Sequence, residues 1–317
     1  MPQGINTSQL HREPWPPTAG RPGLAQSRYG TQGNIELVAP AVDDGLWVGW
    51  FNSDADDDRS TTRTRSWSGA LRFGRGRRYV SADITQLAVG PNWLEVVGLT
   101  DKGELARHVW SPAHGFVEQS ILRTGVRDHS VLVVAPDGCH HLAVLDDDGV
   151  VVLSGQPTAA PRWDPHERRC GVGENGVSAA WHGDHLDVMT TMAGRNVLDC
   201  HGSTRDAGPA SVWTRFVVGK AGRRVVCAGS TTELSLTMPG SVRTDQIAVF
   251  ADAAAAAVVT LDDRAAIHLV ARRGDRLTHL RQGAVSDVGP DGWEEVPLET
   301  EVWVPATYSG TVHREVT

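Results

Sequence analysis

The chain has 317 residues and a formal net charge of −8. This balance argues against nucleic-acid or anionic-membrane partners, because both attract a basic surface. No stretch approaches the roughly 20 apolar residues of a membrane span, and the N-terminus lacks the apolar run of a signal peptide, so a cytoplasmic protein is predicted.

The composition favours strands joined by many turns. Eleven Trp outnumber five Phe and three Tyr, and the chain carries 34 Gly and 17 Pro. Trp suits strands that need a large apolar body with a polar N–H. The four Cys show none of the CxxC spacing of a zinc or redox site, so we expect free thiols, no metal and no cofactor.

The first residues differ from the rest of the chain. They are rich in Pro, Gly, Ser and Gln, and no periodicity is visible. We predict a flexible arm over residues 1–32, followed by one domain over residues 33–317. Trp15, between two prolines, either pins this arm to the domain or belongs to a disordered leader.

Residues 86–122 show the clearest local pattern. Four short segments alternate apolar and polar residues, and Gly, Pro, Asn or Asp separates each from the next; they cover residues 86–89, 94–99, 104–110 and 116–122. Period-2 alternation is typical of a half-buried strand, and these separators suit tight turns. The pattern predicts a four-stranded antiparallel meander.

The pattern recurs along the chain. Its aliphatic core starts at Leu46, Leu94, Leu142, Leu186, Leu234 and Ile267. The first five starts are 48, 48, 44 and 48 residues apart, but the sixth follows after only 33 residues. Either the fifth unit is short or its register is misassigned.

Units of about 45 residues with four strands each are typical of β-propeller blades. We therefore predict an all-β fold, a single propeller of about six four-stranded antiparallel blades, with seven or five blades as alternatives. The last segments, residues 301–306 and 311–316, are expected to pair near residues 33–40 and to close the ring.

The repeats resemble those of the bacterial fucose-binding lectin-like propellers related to the Photorhabdus lectins. The resemblance rests on LEVVGLTDKGELARHVWSPAHGFVEQSIL in unit 2, GNIELVAPAVDDGLWVGWFNSD in unit 1 and IHLVARRGDRLTHLRQ in unit 6. It implies a carbohydrate or glycosylated small molecule as ligand, held between blades. The matching positions are Arg107, His108, Trp110, His279 and Arg281, with Trp67 and Trp293 on outer strands.

Structural roles compete with this interpretation, because blade packing needs a repeated Trp and buried His residues form hydrogen bonds. A second hypothesis is an enzyme of bacterial specialised metabolism, with one asymmetric pocket at the axial mouth of the propeller. His beside a carboxylate can act as a general base. The candidates are His140, His141, His182, His185 and Asp187. A third hypothesis is a protein-interaction scaffold.

Overall fold

Strands form all the regular structure in the part of the chain that the computed structural model describes. That part comprises residues 9–27, 33–52, 66–68, 70–87, 93–156, 163–171, 173–182, 184–200, 203–209, 213–218, 224–229, 233–237, 244–249, 254–261, 267–282 and 293–304. None of these residues belongs to a helix long and apolar enough to cross a membrane.

Six antiparallel sheets follow one another, and within each sheet the strands pair in chain order. Blade 1 contains β2 (Gly23–Gln26), β3 (Ile35–Pro40), β4 (Leu46–Phe51) and β5 (Leu71–Phe73); blade 2 contains β6 (Tyr79–Gln86), β7 (Leu94–Thr100), β8 (Leu105–Ser111) and β9 (Gly115–Arg123); blade 3 contains β10 (Val126–His129), β11 (Val133–Val134), β12 (His140–Asp146), β13 (Gly149–Gly155) and β14 (Trp163–Gly171). In blade 3 the short β11 pairs with β12 beside β10.

The remaining blades have the same design. Blade 4 contains β15 (Asn175–His182), β16 (His185–Met192), β17 (Arg195–Cys200) and β18 (Ser203–Pro209); blade 5 contains β19 (Trp213–Val218), β20 (Arg224–Gly229), β21 (Glu233–Thr237) and β22 (Thr244–Val249); blade 6 contains β23 (Ala254–Leu261), β24 (Ile267–Arg273), β25 (Arg276–Gln282) and β26 (Trp293–Val296). The predicted six-bladed, all-β fold is confirmed.

The first strands of the blades contact one another. β2 lies against β6, β10 against β15, β15 against β19, and β19 against β23. β23 of the last blade also contacts β2 of the first. The two ends of the propeller domain therefore meet where blade 6 packs against blade 1.

The chain termini form a separate two-stranded sheet. β1 (Gln9–Pro14) pairs antiparallel with β27 (Glu299–Val304). The sequence analysis expected the last strand beside residues 33–40, but both edges of β3 are already paired, with β2 and with β4. β1 and β2 both lie within the segment that was predicted as an arm, and residues 305–317 lie outside the described part.

The repeat register needs a correction. Leu94, Leu142, Leu186 and Ile267 lie on second strands, whereas Leu46 and Leu234 lie on third strands. Second and third strands carry the same aliphatic alternation, so the sequence pattern does not distinguish them. The short interval before Ile267 reflects this misassigned register, because blade 5 has its four strands.

Blade 2 matches the predicted meander in three strands. Its first strand is β6, which ends where the predicted segment 86–89 begins. The apolar pattern missed β6 because the polar side chains of Ser81, Asp83 and Thr85 are buried there. The turn between β7 and β8 uses Gly103, whose φ of 75° suits glycine.

Apolar clusters fill the junctions between blades, because each sheet presents alternate residues to its two neighbours. On β8, Leu105 packs in the cluster shared with blade 3, and Ala106 packs in the cluster shared with blade 1. Successive residues of a strand therefore enter different junctions. This alternation decides which polar side chains meet.

Trp15 fixes the N-terminal arm to blade 1. Its side chain is buried, and its ring meets that of Trp67 edge-on, with centroids 6.0 Å apart. A Cβ on Gly49 would lie 2.8 Å from two atoms of the Trp15 ring. The predicted pin is therefore present, and Gly49 leaves the space that the indole occupies.

Trp15→Ala should lower the free energy of unfolding by about 3 kcal/mol, since a buried indole is lost. Gly49→Ala should cost about 1 to 3 kcal/mol through overpacking against that indole. In the double variant the cost of the new Cβ should shrink, giving a coupling of about 1 kcal/mol in urea titrations. Strictly additive losses would show that Gly49 does not make room for Trp15.

Candidate functional site

A buried carboxylate gathers three side chains where blade 2 meets blade 3. Glu95 of β7 accepts hydrogen bonds at Oε1 from Arg107 Nε and, at 3.1 Å, from Trp163 Nε1. His140 Nδ1 bonds the other oxygen, Oε2. Glu95, Arg107, His140 and Trp163 are called the Glu95 cluster below, and they come from β7, β8, β12 and β14.

Register explains how these residues meet. Arg107 lies opposite Val97, two residues beyond Glu95 on β7, so both face blade 3. His140 begins β12, and Trp163 begins β14 opposite Gly155. Blade 2 thus supplies the charge pair, and blade 3 supplies the two rings.

Glu95 is held as a carboxylate. Burial alone raises its pKa, but the hydrogen bond and charge of His140, together with the charge of Arg107, outweigh burial and place the pKa below its ordinary value. The side chain of Glu95 is 0% exposed and that of Arg107 is 5% exposed. A charge pair this deeply buried needs all of its partners.

Two polar atoms of the Glu95 cluster have no hydrogen-bond partner among the described residues. They are Arg107 Nη2 and His140 Nε2, and both are buried. Since a carboxylate only accepts, His140 Nδ1 carries the proton in its bond to Glu95. His140 therefore presents Nε2, which accepts a hydrogen bond when the ring is neutral and donates one when the ring is charged, and Arg107 presents a donor at Nη2. Trp163 is half-buried beside them.

The same strand positions carry other residues elsewhere. Blade 1 has Glu36 where blade 2 has Glu95, but Val48 replaces the arginine. Burial raises the pKa of Glu36 to about 7, although a hydrogen bond from Ser27 opposes the rise. No described cation opposes this rise, so the carboxyl is about half protonated near pH 7.

Blade 6 places histidines at both positions. His268 corresponds to Glu95, and His279, opposite Val270, corresponds to Arg107. Trp67 forms an isolated β-bridge with Phe51 at the outer edge of blade 1, the position that Trp163 has in blade 3. It donates Nε1–H to His279 Nδ1 at 3.3 Å. The side chains of Trp67, His268 and His279 are all buried, so solvent does not reach them.

The predicted ligand residues of blade 2 divide between two junctions. Arg107 faces blade 3, whereas His108 faces blade 1, where it bonds Tyr79 Oη at 2.9 Å and meets Phe73 edge-on. Burial lowers the pKa of His108 to about 4. Trp110 is half-buried opposite Phe116 on β9. Arg107 and His108 therefore do not share a site.

Blade 6 provides the other two predicted ligand residues. Arg281 is half-buried and lies between His268 and Glu294 in strand register. Trp293 begins β26 opposite Gln282, which is the expected outer-strand position, and its side chain lies outside the described part.

The catalytic candidates point into several junctions. His140 faces blade 2, while the next residue, His141, bonds Ser154 Oγ at 2.9 Å and stacks on Trp181. His185 Nε2 lies 3.0 Å from Asp187 Oδ1. Leu186, the residue before Asp187, packs toward blade 3, so Asp187 faces away from blade 3. The side chain of His182 lies outside the described part. The described side chains among these candidates therefore face different junctions.

Sequence reasoning missed Glu95 and Trp163. A glutamate within the apolar run LEVV was the available signal, since a charge on a buried strand needs a partner. Trp163 follows a Pro-rich segment, and nothing in the sequence connects it to Glu95, 68 residues away.

These features define the chain as a six-bladed β-propeller with buried polar clusters between blades, and solved structures share this fold. The fucose-specific lectin from Aleuria aurantia aligns with a TM-score of 0.64 at 12% identity over 92% of this chain and 100% of that one. A second structure of the Aleuria aurantia lectin, described as a six-bladed β-propeller with a novel fucose recognition mode, gives 0.59 at 14% identity over 96% and 99%. AofleA from Arthrobotrys oligospora gives 0.59 at 10% identity over 96% and 94%.

No protein-family profile matches the chain, and no curated protein matches its sequence. The likeness to solved structures establishes the fold. The bacterial repeat family named from the sequence stays a prediction.

Glu36→Gln should remove a pH dependence from folding. Because the folded pKa of about 7 exceeds the ordinary 4.5, the wild type loses stability as pH rises through this window, by about 3 kcal/mol in all. The variant should match the wild type near pH 5 and exceed it by about 3 kcal/mol at pH 8 in urea titrations. Glu295→Gln, at an exposed glutamate, is the control. An equal gain in stability at pH 8 in that variant would contradict the raised pKa of Glu36.

Proposed function

We propose that the protein binds carbohydrate at the junction of blades 2 and 3, through the Glu95 cluster. The observation that carries this proposal is the pair of buried, unpartnered atoms, Arg107 Nη2 and His140 Nε2, around one carboxylate. Leaving such groups unpaired costs free energy, so a polar ligand that reaches both is stabilised.

The chemistry of these atoms fits a hydroxyl-bearing ligand. The guanidinium donates, and His140 Nε2 accepts or donates according to its protonation state. A sugar hydroxyl can satisfy both atoms in either case, because it accepts up to two hydrogen bonds and donates one. Trp163 adds an aromatic surface for the apolar side of a sugar ring. Two polar groups beside an indole suit a small polyol.

Fucose is the first sugar to test. The structurally similar Aleuria aurantia lectin is described as fucose-specific, and its fold spans nearly the whole of this chain. Blade 1 lacks the arginine and blade 6 has two histidines, so the Glu95 cluster is the one complete set of acid, arginine and Trp among the described side chains of blades 1, 2, 3 and 6. We therefore expect one strong site among these four blades.

A glycan array followed by titration calorimetry tests this proposal. The wild type should bind a fucosylated glycan with a stoichiometry near one. Arg107→Lys and Trp163→Ala should each weaken binding by about tenfold to a hundredfold, because a charge-assisted hydrogen bond or a stacking surface is lost.

Glu36→Gln provides the matched control, because it alters the same strand position in a blade that lacks the arginine. It should bind like the wild type. Retained affinity in both site variants, or no binding to any glycan on the array, would overturn the proposal. Circular dichroism separates lost affinity from lost folding.

A further inference from the structure

A chain of buried hydrogen bonds crosses the junction of blades 6 and 1. Trp67 Nε1 lies 3.3 Å from His279 Nδ1, and His279 Nε2 lies 3.0 Å from His268 Nδ1. The two imidazoles stack at 5.2 Å with an interplanar angle of 16°. Phe51 packs against both rings, at 5.8 Å and 5.3 Å.

The protons in this chain have one consistent arrangement. An indole N–H can only donate, so His279 Nδ1 must accept, and the proton of neutral His279 lies on Nε2. That N–H then donates to His268 Nδ1, which also accepts. A further proton on His279 Nδ1 would face the N–H of Trp67, donor against donor. A proton on His268 Nδ1 would likewise face His279 Nε2–H.

The described partners of His279 disfavour an added charge. From blade 1 and the arm, the apolar side chains packed at this junction include Trp15, Ile35 and Leu37. Glu36 lies between Ile35 and Leu37 on β3, so it faces the opposite side. Arg281 and the paired imidazole are the charged groups that act on His279, and both disfavour its protonation.

This junction is also the one that joins the ends of the domain. Trp67 belongs to blade 1, and the two histidines belong to blade 6. Nearby, the amide of Thr18 donates to Asp275 O at 2.7 Å, and Arg272 Nε donates to Gly20 O at 2.6 Å. The N-terminal arm thus covers the same seam, with Trp15 packed on Trp67.

We propose that Trp67, His279 and His268 form an acid-sensitive latch that holds blade 6 to blade 1 while both histidines are neutral and releases this seam when they are protonated. The latch occupies the strand positions that form the Glu95 cluster at the junction of blades 2 and 3. One position in the repeat therefore serves ligand binding in one junction and pH-dependent closure in another.

The direction of the effect follows from burial. Burial first, then His268 and Arg281, places the pKa of folded His279 well below its ordinary 6.5. The seam is therefore stable above that ordinary value and weakens as pH falls below it, by about tenfold in the opening equilibrium per pH unit through His279. Buried His108 and His141 also have lowered pKa values, so the readout must be local.

Hydrogen exchange followed by mass spectrometry from pH 7.5 to 5 provides a local readout. After correction for intrinsic rates, peptides from β4, β24 and β25 should lose protection about tenfold per unit below pH 6.5, before peptides from β12 and β13. In His268→Asn/His279→Gln, amide oxygens replace the acceptors without titrating, so the loss at the seam should disappear. His108→Gln in blade 2 should leave it unchanged.

Trp67→Phe gives an independent test if the double variant does not fold. Without the indole N–H, a proton on His279 Nδ1 faces no donor, so the pH response of the seam should shrink. A seam whose protection does not depend on pH, or an undiminished response in either variant, would overturn the proposal. Glycan affinity at the Glu95 cluster, measured at pH 7.5, should be the same in all of these variants.

Discussion

Both faces of a propeller blade are covered by neighbouring blades, and this constraint governs the chemistry of the whole molecule. A polar side chain on an inner strand that points into a junction is shielded from bulk water, so it needs a partner from the facing blade, from its own strands or from a ligand. Apolar residues, which need no hydrogen-bond partner, occupy most of these positions. Glu95, Glu36 and His268 are buried polar residues, and the partners of each differ from junction to junction.

The three solutions differ in how charge is handled. Around Glu95 the carboxylate keeps its charge because Arg107 and His140 bond to it. At Glu36 there is no cation, and burial shifts the carboxyl toward its neutral form. At the seam of blades 6 and 1, two imidazoles and an indole replace acid, arginine and Trp, and burial holds the pKa of His279 well below its ordinary value. A repeat can keep its backbone while the polar content of each junction diverges, because strand register alone fixes the positions.

The sequence predicted the fold better than it predicted the site. Alternation in residues 94–122 anticipated three strands of blade 2, and the recurrence of that pattern gave six blades. It missed β6, because the buried polar residues Ser81, Asp83 and Thr85 interrupt the apolar pattern expected of an interior strand. It also grouped Arg107 with His108, although successive residues on one strand enter different junctions. Arg107 was found from the resemblance alone, without its carboxylate.

The features that follow from the amino-acid sequence are local. They are strand periodicity, turns such as the one at Gly103, and the number of four-stranded units, because all depend on residues close together in the chain. The residues that face one another across blades are known from the three-dimensional arrangement of the strands. Trp163 meets Glu95 across 68 positions and Trp67 meets His279 across 212. Such contacts depend on the order of blades around the axis and on the register of each sheet, and alternation along a single strand specifies neither.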